Sequence, residues 1–381
     1  MHILHIDTGK TWRGGQNQVR TLLHTLQDDP DIHNTLALPQ QTQYRYPAIA
    51  PASVPVLPWA NTGWRSLYSA YRLYTFCTQQ NIDLIHAHSG GAHTLAALMS
   101  TLGCRIPIIV HRRVPVLPHS SPLSRHKYFR HQIKQYITVS HAIAQVLRSY
   151  GIPPDHIQTI YSSLTPRNTN PTAENKPDYK SKLAVKYQVP DSQKFFGTCA
   201  ALVHDKGIDT ALHAFAKLRN QVGQGQLFIA GDGPLKVELM RLAQTLGIRD
   251  CTHFMGHIRD TAGFFAALDI LLFPSRVEGL GSTLLEAGYG RTLVLASNVG
   301  GIPEIIEHER TGFLLPPQDV DAWAAKINWA QHTDLGQTTQ QQALFQLVQT
   351  KFSATHMTRR TVQLYQQVLQ TTANAIPHPN T

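Results

Sequence analysis

Ile270-Leu271-Leu272-Phe273, followed by Ser275-Arg276-Val277-Glu278-Gly279-Leu280-Gly281-Ser282-Thr283-Leu284-Leu285-Glu286-Ala287, reads as a strand, a glycine loop and a helix start. The free amides and positive end of such a helix bind anions. Glu278 and Glu286 are separated by seven residues and flank that place. Phosphate would repel both. They make sense facing uncharged hydroxyls, as on a sugar and a ribose. Thr283-Leu284-Leu285-Glu286 also matches a capping box, which offers Glu286 a purely structural role. Glu278 can likewise be read as a solvated loop acid.

Working outward, strand and helix patterns alternate along the whole chain. Strands are expected at 2–6, 35–38, 54–57, 83–87, 107–111, 136–139 and 157–160, with helices at 15–27, 64–80, 91–102, 122–135 and 141–150. Further on, strands are expected at 194–200, 226–230, 252–255, 269–273, 292–296 and 312–315, with helices near 207–221, 234–247, 281–290, 302–308, 319–331 and 353–371. This alternation predicts an α/β fold of two Rossmann-like parallel-sheet domains, which bind ligands at strand C-terminal ends. The expected boundaries are an N-terminal domain over 1–165, a polar, proline-bearing linker over 166–192 and a C-terminal domain over 193–352. A last helix over 353–371 is expected to pack back on the N-terminal domain.

The 381 residues carry a net charge of +10, unevenly spread. Residues 1–165 hold 14 Lys and Arg against 6 Asp and no Glu, a surplus of +8; the remainder, with 20 against 18, adds +2. Such asymmetry points to an anionic partner for the N-terminal half, or to a simple bias of composition. No apolar run reaches the roughly 18 residues a membrane span needs. The N-terminal stretch reads as a strand, not as a signal peptide. Cys77, Cys104, Cys199 and Cys251 are widely spaced, which fits neither a disulfide framework nor a metal knuckle. A cytoplasmic protein is the resulting expectation.

Three more loops follow expected strands. Trp12-Arg13-Gly14-Gly15-Gln16 has paired glycines that let backbone amides approach a ligand. In Ala201-Leu202-Val203-His204-Asp205-Lys206-Gly207, the lysine suits phosphate as a point charge. Gly231-Asp232-Gly233-Pro234 is not a dinucleotide fingerprint, because Lys236 stands where the third glycine would be. Each loop alone is consistent with an ordinary turn. Together they place acids, a lysine and glycines at complementary positions.

In this company, Ser275 to Ala287 resembles the Glu-x7-Glu signature of retaining glycosyltransferases of family 4, which have the GT-B fold of two Rossmann-like domains facing a cleft. Lys206-Gly207, Gly231-Asp232-Gly233-Pro234, Asn298-Val299-Gly300-Gly301-Ile302-Pro303-Glu304 and Thr311-Gly312-Phe313-Leu314-Leu315-Pro316 keep the family's order and spacing. The resemblance implies catalytic roles for Glu278, Lys206 and His111. Glu278 would contact the donor sugar, Lys206 its diphosphate, and His111, ending its strand, the sugar again. It implies donor contacts at Gly14, Gly15, Gly233, Gly281, Ser282 and Thr283, at Glu286 for the ribose, and at His257 and Arg259 near the base. Neither a metal nor another cofactor is implied. Ala200-Ala201 departs from the family's usual Gly-Arg, so a second diphosphate ligand is missing unless Arg276, Arg13 or Arg112 replaces it.

His86, His88 and His93 form a possible metal set, but no acid or cysteine accompanies them, and a cleft or core role is the preferred reading. Arg112 and Arg113 are expected to meet an anionic acceptor. On a helix over 122–135, Lys127, Arg130 and Lys134 would share one basic face, suited to an anionic membrane surface or simply to solvent. The expectation is a nucleotide-sugar-dependent glycosyltransferase acting on a glycolipid, lipopolysaccharide-core or polysaccharide-precursor acceptor in cell-envelope synthesis. It would be cytoplasmic or peripheral on the inner membrane face. Nucleotide-sugar epimerases of the same fold lack the two-glutamate pattern. The alternative is a catalytically weak membrane- or polyanion-binding protein on the same fold. Nucleic acid is not an expected partner, because no recognition module accompanies the basic region.

Overall fold

The computed structural model describes residues 1–10, 14–40, 49–59, 65–164, 176–222, 225–334 and 338–374. The chain forms two compact units, one of residues 1–165 with 353–381 and one of residues 166–352.

The first unit contains β1 (His2–Ile6), α1 (Gly14–Leu26), β2 (His33–Pro39), β3 (Val56–Trp59), α2 (Arg65–Gln79), β4 (Leu84–Ala87), α3 (Gly90–Thr101), β5 (Ile108–Arg112), α4 (Pro122–Tyr128), β6 (Ile133–Thr138), α5 (His141–Ser149) and β7 (Ile157–Thr159). Seven parallel strands run in the order β3-β2-β1-β4-β5-β6-β7. Successive side chains point to opposite faces. On one face Leu4, Ile6, Ile85, Ala87, Ile108 and Val110 pack with Leu73 of α2 and Leu95 and Met99 of α3. On the other, Ile3, Leu84, Ile109 and Ile137 pack with Leu22 and Leu26 of α1. Two residues beyond Ile3, Leu84 and Ile109 come His5, His86 and His111, so this second core layer turns from aliphatic to imidazole toward the strand ends.

The second unit contains α6 (Lys176–Tyr187), β8 (Lys194–Cys199), α7 (Ile208–Val222), β9 (Gly225–Ala230), α8 (Lys236–Thr245), β10 (Thr252–Gly256), α9 (Thr261–Ala267), β11 (Ile270–Phe273), α10 (Ser282–Tyr289), β12 (Leu293–Ser297), β13 (Phe313–Leu315), α11 (Val320–His332) and α12 (Thr339–Lys351). Its six strands run β10-β9-β8-β11-β12-β13. The chain steps outward from β8 to β10, then returns to the other side of β8 with β11. That reversal leaves the loops after β8 and β11 side by side, the usual ligand position of such sheets. The last helix, α13 (Ala354–Asn374), belongs to the first unit, where Met357, Leu364, Tyr365 and Val368 complete the core layer of Ile3 and Ile109.

Two expectations change. The helix expected over 122–135 stops at Tyr128, and Ile133–Thr138 is strand β6, paired with both β5 and β7. Two ladders of sheet hydrogen bonds outweigh a helical spacing of apolar residues. Lys127 therefore sits on a helix, Arg130 in a turn and Lys134 on a strand, and the three share no helical face. The segment 166–192 is not linker throughout: α6 fills 176–187, buries Leu183 and Ala184, and anchors Lys176 Nζ on the carbonyls of Leu268 and Arg291 at 2.9 Å.

Leu364 is 3% exposed within the layer that α13 completes. Leu364→Ala should lower stability in equilibrium urea unfolding by about 2–5 kcal/mol, the usual loss for a buried leucine. A loss well under 1 kcal/mol would mean that α13 is not part of that core.

Candidate functional site

Lys206 lies in the loop after β8 and Glu278 in the loop after β11, and Lys206 Nζ stands 2.6 Å from Glu278 Oε2. Their side chains are 24% and 14% exposed, so the pair is accessible to a ligand. The Gly279 amide donates to Glu278 Oε1 at 3.2 Å, and the Ser275 hydroxyl reaches Oε2 at 3.5 Å.

Close backbone contacts hold these loops. Gly207 has φ +61°, and a Cβ there would stand 2.1 Å from the Pro274 carbonyl oxygen. Gly300 has φ +53°, and its Cβ would stand 2.0 Å from the Glu278 carbonyl oxygen. Only glycine fits both the conformation and the space. Arg276 ties the same loops together, donating to the His204 carbonyl at 2.7 Å and to Asp209 Oδ2 at 2.5 Å. Burial pushes the Asp209 carboxyl up, but the Arg276 guanidinium outweighs it and holds the group below its ordinary value. Arg276 is thus held by the loops themselves. Ala201 itself is exposed.

Beyond Glu278 the chain enters α10. Its N-cap is Gly281 at φ +92°, with no side-chain cap. Thr283 lies inside the first turn, and its hydroxyl donates to the Cys199 carbonyl at 3.4 Å. The capping box is therefore not formed, because the helix starts two residues earlier than that pattern requires. Ser282 and Thr283 present the first-turn amides, which have no acceptor within the helix. Glu286 stands one turn further along the face of Ser282. Its charge contributes, after burial, to pushing the Cys199 thiol up to about 12, so the carboxylate faces the end of β8.

Gly233 lies where a Cβ would stand 2.5 Å from the Leu202 carbonyl oxygen, so the loop after β9 lies against the loop after β8. The Gly233 amide is taken by Asp232 Oδ1 at 2.8 Å. His257 and Arg259, after β10, are exposed.

The first unit has its own reversal, between β1 and β4. Here Gly14 and Gly15 open α1, and a Cβ on Gly15 would stand 3.8 Å from Arg113 Cδ. Arg113 donates to the His88 carbonyl and reaches Nδ1 of His88 at 3.2 Å and of His111 at 3.3 Å. Arg112 is tied to the Tyr128 hydroxyl at 3.0 Å and to the Val116 carbonyl. Lys127 donates to the Gly90 carbonyl at 3.0 Å and to Thr94 at 2.8 Å, and Arg130 donates to Thr101. Lys127 and Arg130 thus clasp α3. Arg13 lies outside the described residues.

The histidine set differs from the expected one. Nitrogens of His5, His86 and His88 lie within 4.8 Å of one another. His93 is elsewhere, its Nε2 3.2 Å from the Lys127 carbonyl. His5 escaped the sequence reading because it looks like one more residue of an apolar strand. Its only signal is that it continues the alternation from Ile3. Tyr365, 2.6 Å from His86 Nδ1, is 279 residues away and carried no signal at all.

Burial holds His5 down to about 4 and lowers His86, His88 and His111 well below the ordinary histidine value. All four are neutral when folded near pH 6 and protonate on unfolding. The unfolded state binds more protons below its pKa near 6.5, so stability rises with pH there and is lost as pH falls. Each such histidine contributes about 1.4 kcal/mol per pH unit. The thermal unfolding midpoint should therefore fall steeply from pH 6.5 to 5, before most carboxylates titrate. A flat midpoint over that range would contradict neutral buried imidazoles.

Comparison with known proteins agrees with this fold. Residues 12–165 match Glycosyltransferase Family 4, and residues 180–342 match Glycosyl transferases group 1. The chain is 29% identical over 252 residues to an N-acetyl-alpha-D-glucosaminyl L-malate synthase of Bacillus anthracis, a match spanning 64% of each protein. It is 35% identical over 135 residues to a GDP-mannose-dependent alpha-(1-6)-phosphatidylinositol monomannoside mannosyltransferase of Mycobacterium tuberculosis, covering 33% of this chain and 35% of that one. Among solved structures, Anabaena HepE in complex with UDP and glucose matches with a TM-score of 0.81 at 18% identity, over 96% of this chain and all (100%) of that one. The two parallel-sheet units are those of the GT-B fold, and the chain belongs to glycosyltransferase family 4, the glycosyl transferases of group 1.

Proposed function

We propose that the chain moves a glycosyl group from a nucleoside-diphosphate sugar to a hydroxyl of a glycolipid or polysaccharide-precursor acceptor, with retention of configuration at the anomeric carbon. The observation that carries this is the Lys206–Glu278 pair, 2.6 Å apart, beside the N-terminus of α10. As the bond from anomeric carbon to diphosphate breaks, negative charge grows on the leaving oxygen and positive charge on the sugar. Lys206 and the first amides of α10 answer the first; Glu278 answers the second. Preorganised charges of this kind supply the largest part of many rate enhancements. Glu286 takes the ribose hydroxyls. The leaving-group charge is met without calling on a metal ion.

A partly exposed ion pair is worth at most about 1 kcal/mol. A diphosphate with two negative charges can therefore take the ammonium from Glu278 at little loss, freeing the carboxylate for sugar hydroxyls. The mannosyltransferase relative's name supports a GDP-type donor and a lipid-linked acceptor, the HepE complex supports a UDP-type donor, and the malate synthase's name points instead to a small acceptor. Apolar exposure supports work at a membrane surface: Val114, Val116, Leu117 and Leu123 are 50%, 62%, 57% and 83% exposed, near Arg125 and Lys127. No described helix is long and apolar enough to cross a membrane. Peripheral attachment to an anionic, cytoplasmic leaflet through this segment fits the +8 surplus of residues 1–165. The exposed Ala201 favours one second reading, a weak enzyme that chiefly binds membrane or polyanion.

With UDP- and GDP-sugars and lipid acceptors, Lys206→Ala should lower transfer about 10²–10³-fold, the loss typical of one preorganised donor. Glu278→Gln should abolish it, and full transfer by that variant would overturn the role of Glu278. Leu117→Asp combined with Leu123→Asp should release the protein from anionic vesicles in co-sedimentation while leaving transfer to a soluble acceptor intact. Absence of any nucleoside diphosphate binding would favour the second reading.

A further inference from the structure

His5, His86, His88 and His111 occupy the strand ends of one sheet face, with ring centroids of neighbours 3.9 to 6.0 Å apart. Their hydrogen bonds determine where the protons sit. A neutral imidazole has one N–H and one lone pair, and a guanidinium only donates. Arg113 reaches Nδ1 of both His88 and His111, so both Nδ1 atoms accept and both protons lie on Nε2. His88 Nε2–H then donates to His5 Nδ1 at 2.9 Å. The proton of His5 is thereby placed on Nε2, which donates to Asn34 Oδ1 at 2.9 Å. Read from the other end, the Asn34 carbonyl oxygen demands the same proton on His5 Nε2. The two ends of the chain agree.

The relay leaves one group over. His111 Nε2 is buried with no hydrogen-bond partner, in a residue 9% exposed. It is an N–H waiting for an acceptor. Asp7, held by the Gln16 amide at 2.8 Å and the Thr8 amide at 2.9 Å, supplies a buried countercharge for Arg113. Burial lowers Arg113 to about 10 and Asp7 opposes the shift, so the guanidinium stays charged at neutral pH.

We infer that Arg113 is a positioning residue that fixes His111 as a hydrogen-bond donor through Nε2, unable to serve there as a base. The inference rests on the glycosyl transfer proposed above for the use made of that donor. The proton placement rests on the hydrogen bonds alone. The same placement argues against a metal on His5, His86 and His88: the free lone pair of His88 is at Nδ1, where a guanidinium already sits.

The test is histidine ¹⁵N NMR of the full chain at neutral pH, without substrate. His5, His88 and His111 should each appear as the Nε2–H tautomer. In Arg113→Met, His88 and His111 should lose that single form. If this variant does not fold, Arg113→Lys, which keeps the charge but cannot bridge two rings, should show a mixture at one of them. In transfer assays Arg113→Met should lose about 10²-fold in kcat/KM, as misplaced catalytic groups do, with nucleoside diphosphate affinity unchanged. His111→Gln, whose amide donates from the Nε2 position, should retain more transfer than His111→Glu, which only accepts. An Nδ1–H or protonated His111, or glutamate outperforming glutamine, would overturn the inference. A wild-type chain without transfer activity would remove the role in transfer but leave the tautomer result to decide the relay.

Discussion

The candidate site depends on one constraint, the close approach of two backbone loops where the second sheet reverses its strand order. The loops after β8 and β11 leave adjacent strand ends, where Gly207 admits the Pro274 carbonyl oxygen to 2.1 Å of where a Cβ would be; Gly300, in the loop after β12, admits the Glu278 carbonyl oxygen to 2.0 Å. At that distance no other residue fits without moving the backbone. The approach fixes Lys206 beside Glu278, Arg276 pins it from the side, and α10 starts directly behind. A looser junction would leave the same residues as unrelated surface charges.

The two units put opposite chemistry on the same topology. At its reversal the second unit gathers Glu278 and Glu286 around a single lysine and a helix N-terminus. The first gathers imidazoles and Arg113 around the buried Asp7. Each arrangement follows from strand alternation. In the second unit β11 stays apolar to its end, β8 closes on the small Thr198 and Cys199, and function sits in the loops. In the first unit, one layer of the core itself becomes polar, and most of its ring nitrogens find partners in one another or in Asn34, Arg113 and Tyr365. Two of them, His86 Nε2 and His111 Nε2, do not.

Much of this was legible in the sequence. The alternation of periodicities predicts two parallel-sheet units, and Glu278, Lys206 and the glycines stand out because glycine and charge punctuate apolar strands. Other parts were hidden for physical reasons. Ile133 to Gln135 read as the end of a helix because spacing cannot weigh the neighbouring strand that claims them. Thr283 and Glu286 fit a capping box, but where α10 starts is decided by the left-handed turn at Gly281. Arg276 looked available as a phosphate ligand until Asp209 and the His204 carbonyl were seen to hold it. His5, Asn34 and Tyr365 come together only in three dimensions.

The central claim is that Glu278 holds Lys206 in the free chain and that a diphosphate must take it over. Calorimetry with a nucleoside diphosphate lacking its sugar isolates that exchange. The account predicts that Glu278→Gln, although inactive in transfer, binds the diphosphate as tightly as the wild type or up to about tenfold more tightly, a difference of about 1.4 kcal/mol. Lys206→Met should bind it about tenfold more weakly. Weaker binding by Glu278→Gln, or unchanged binding by Lys206→Met, would contradict it.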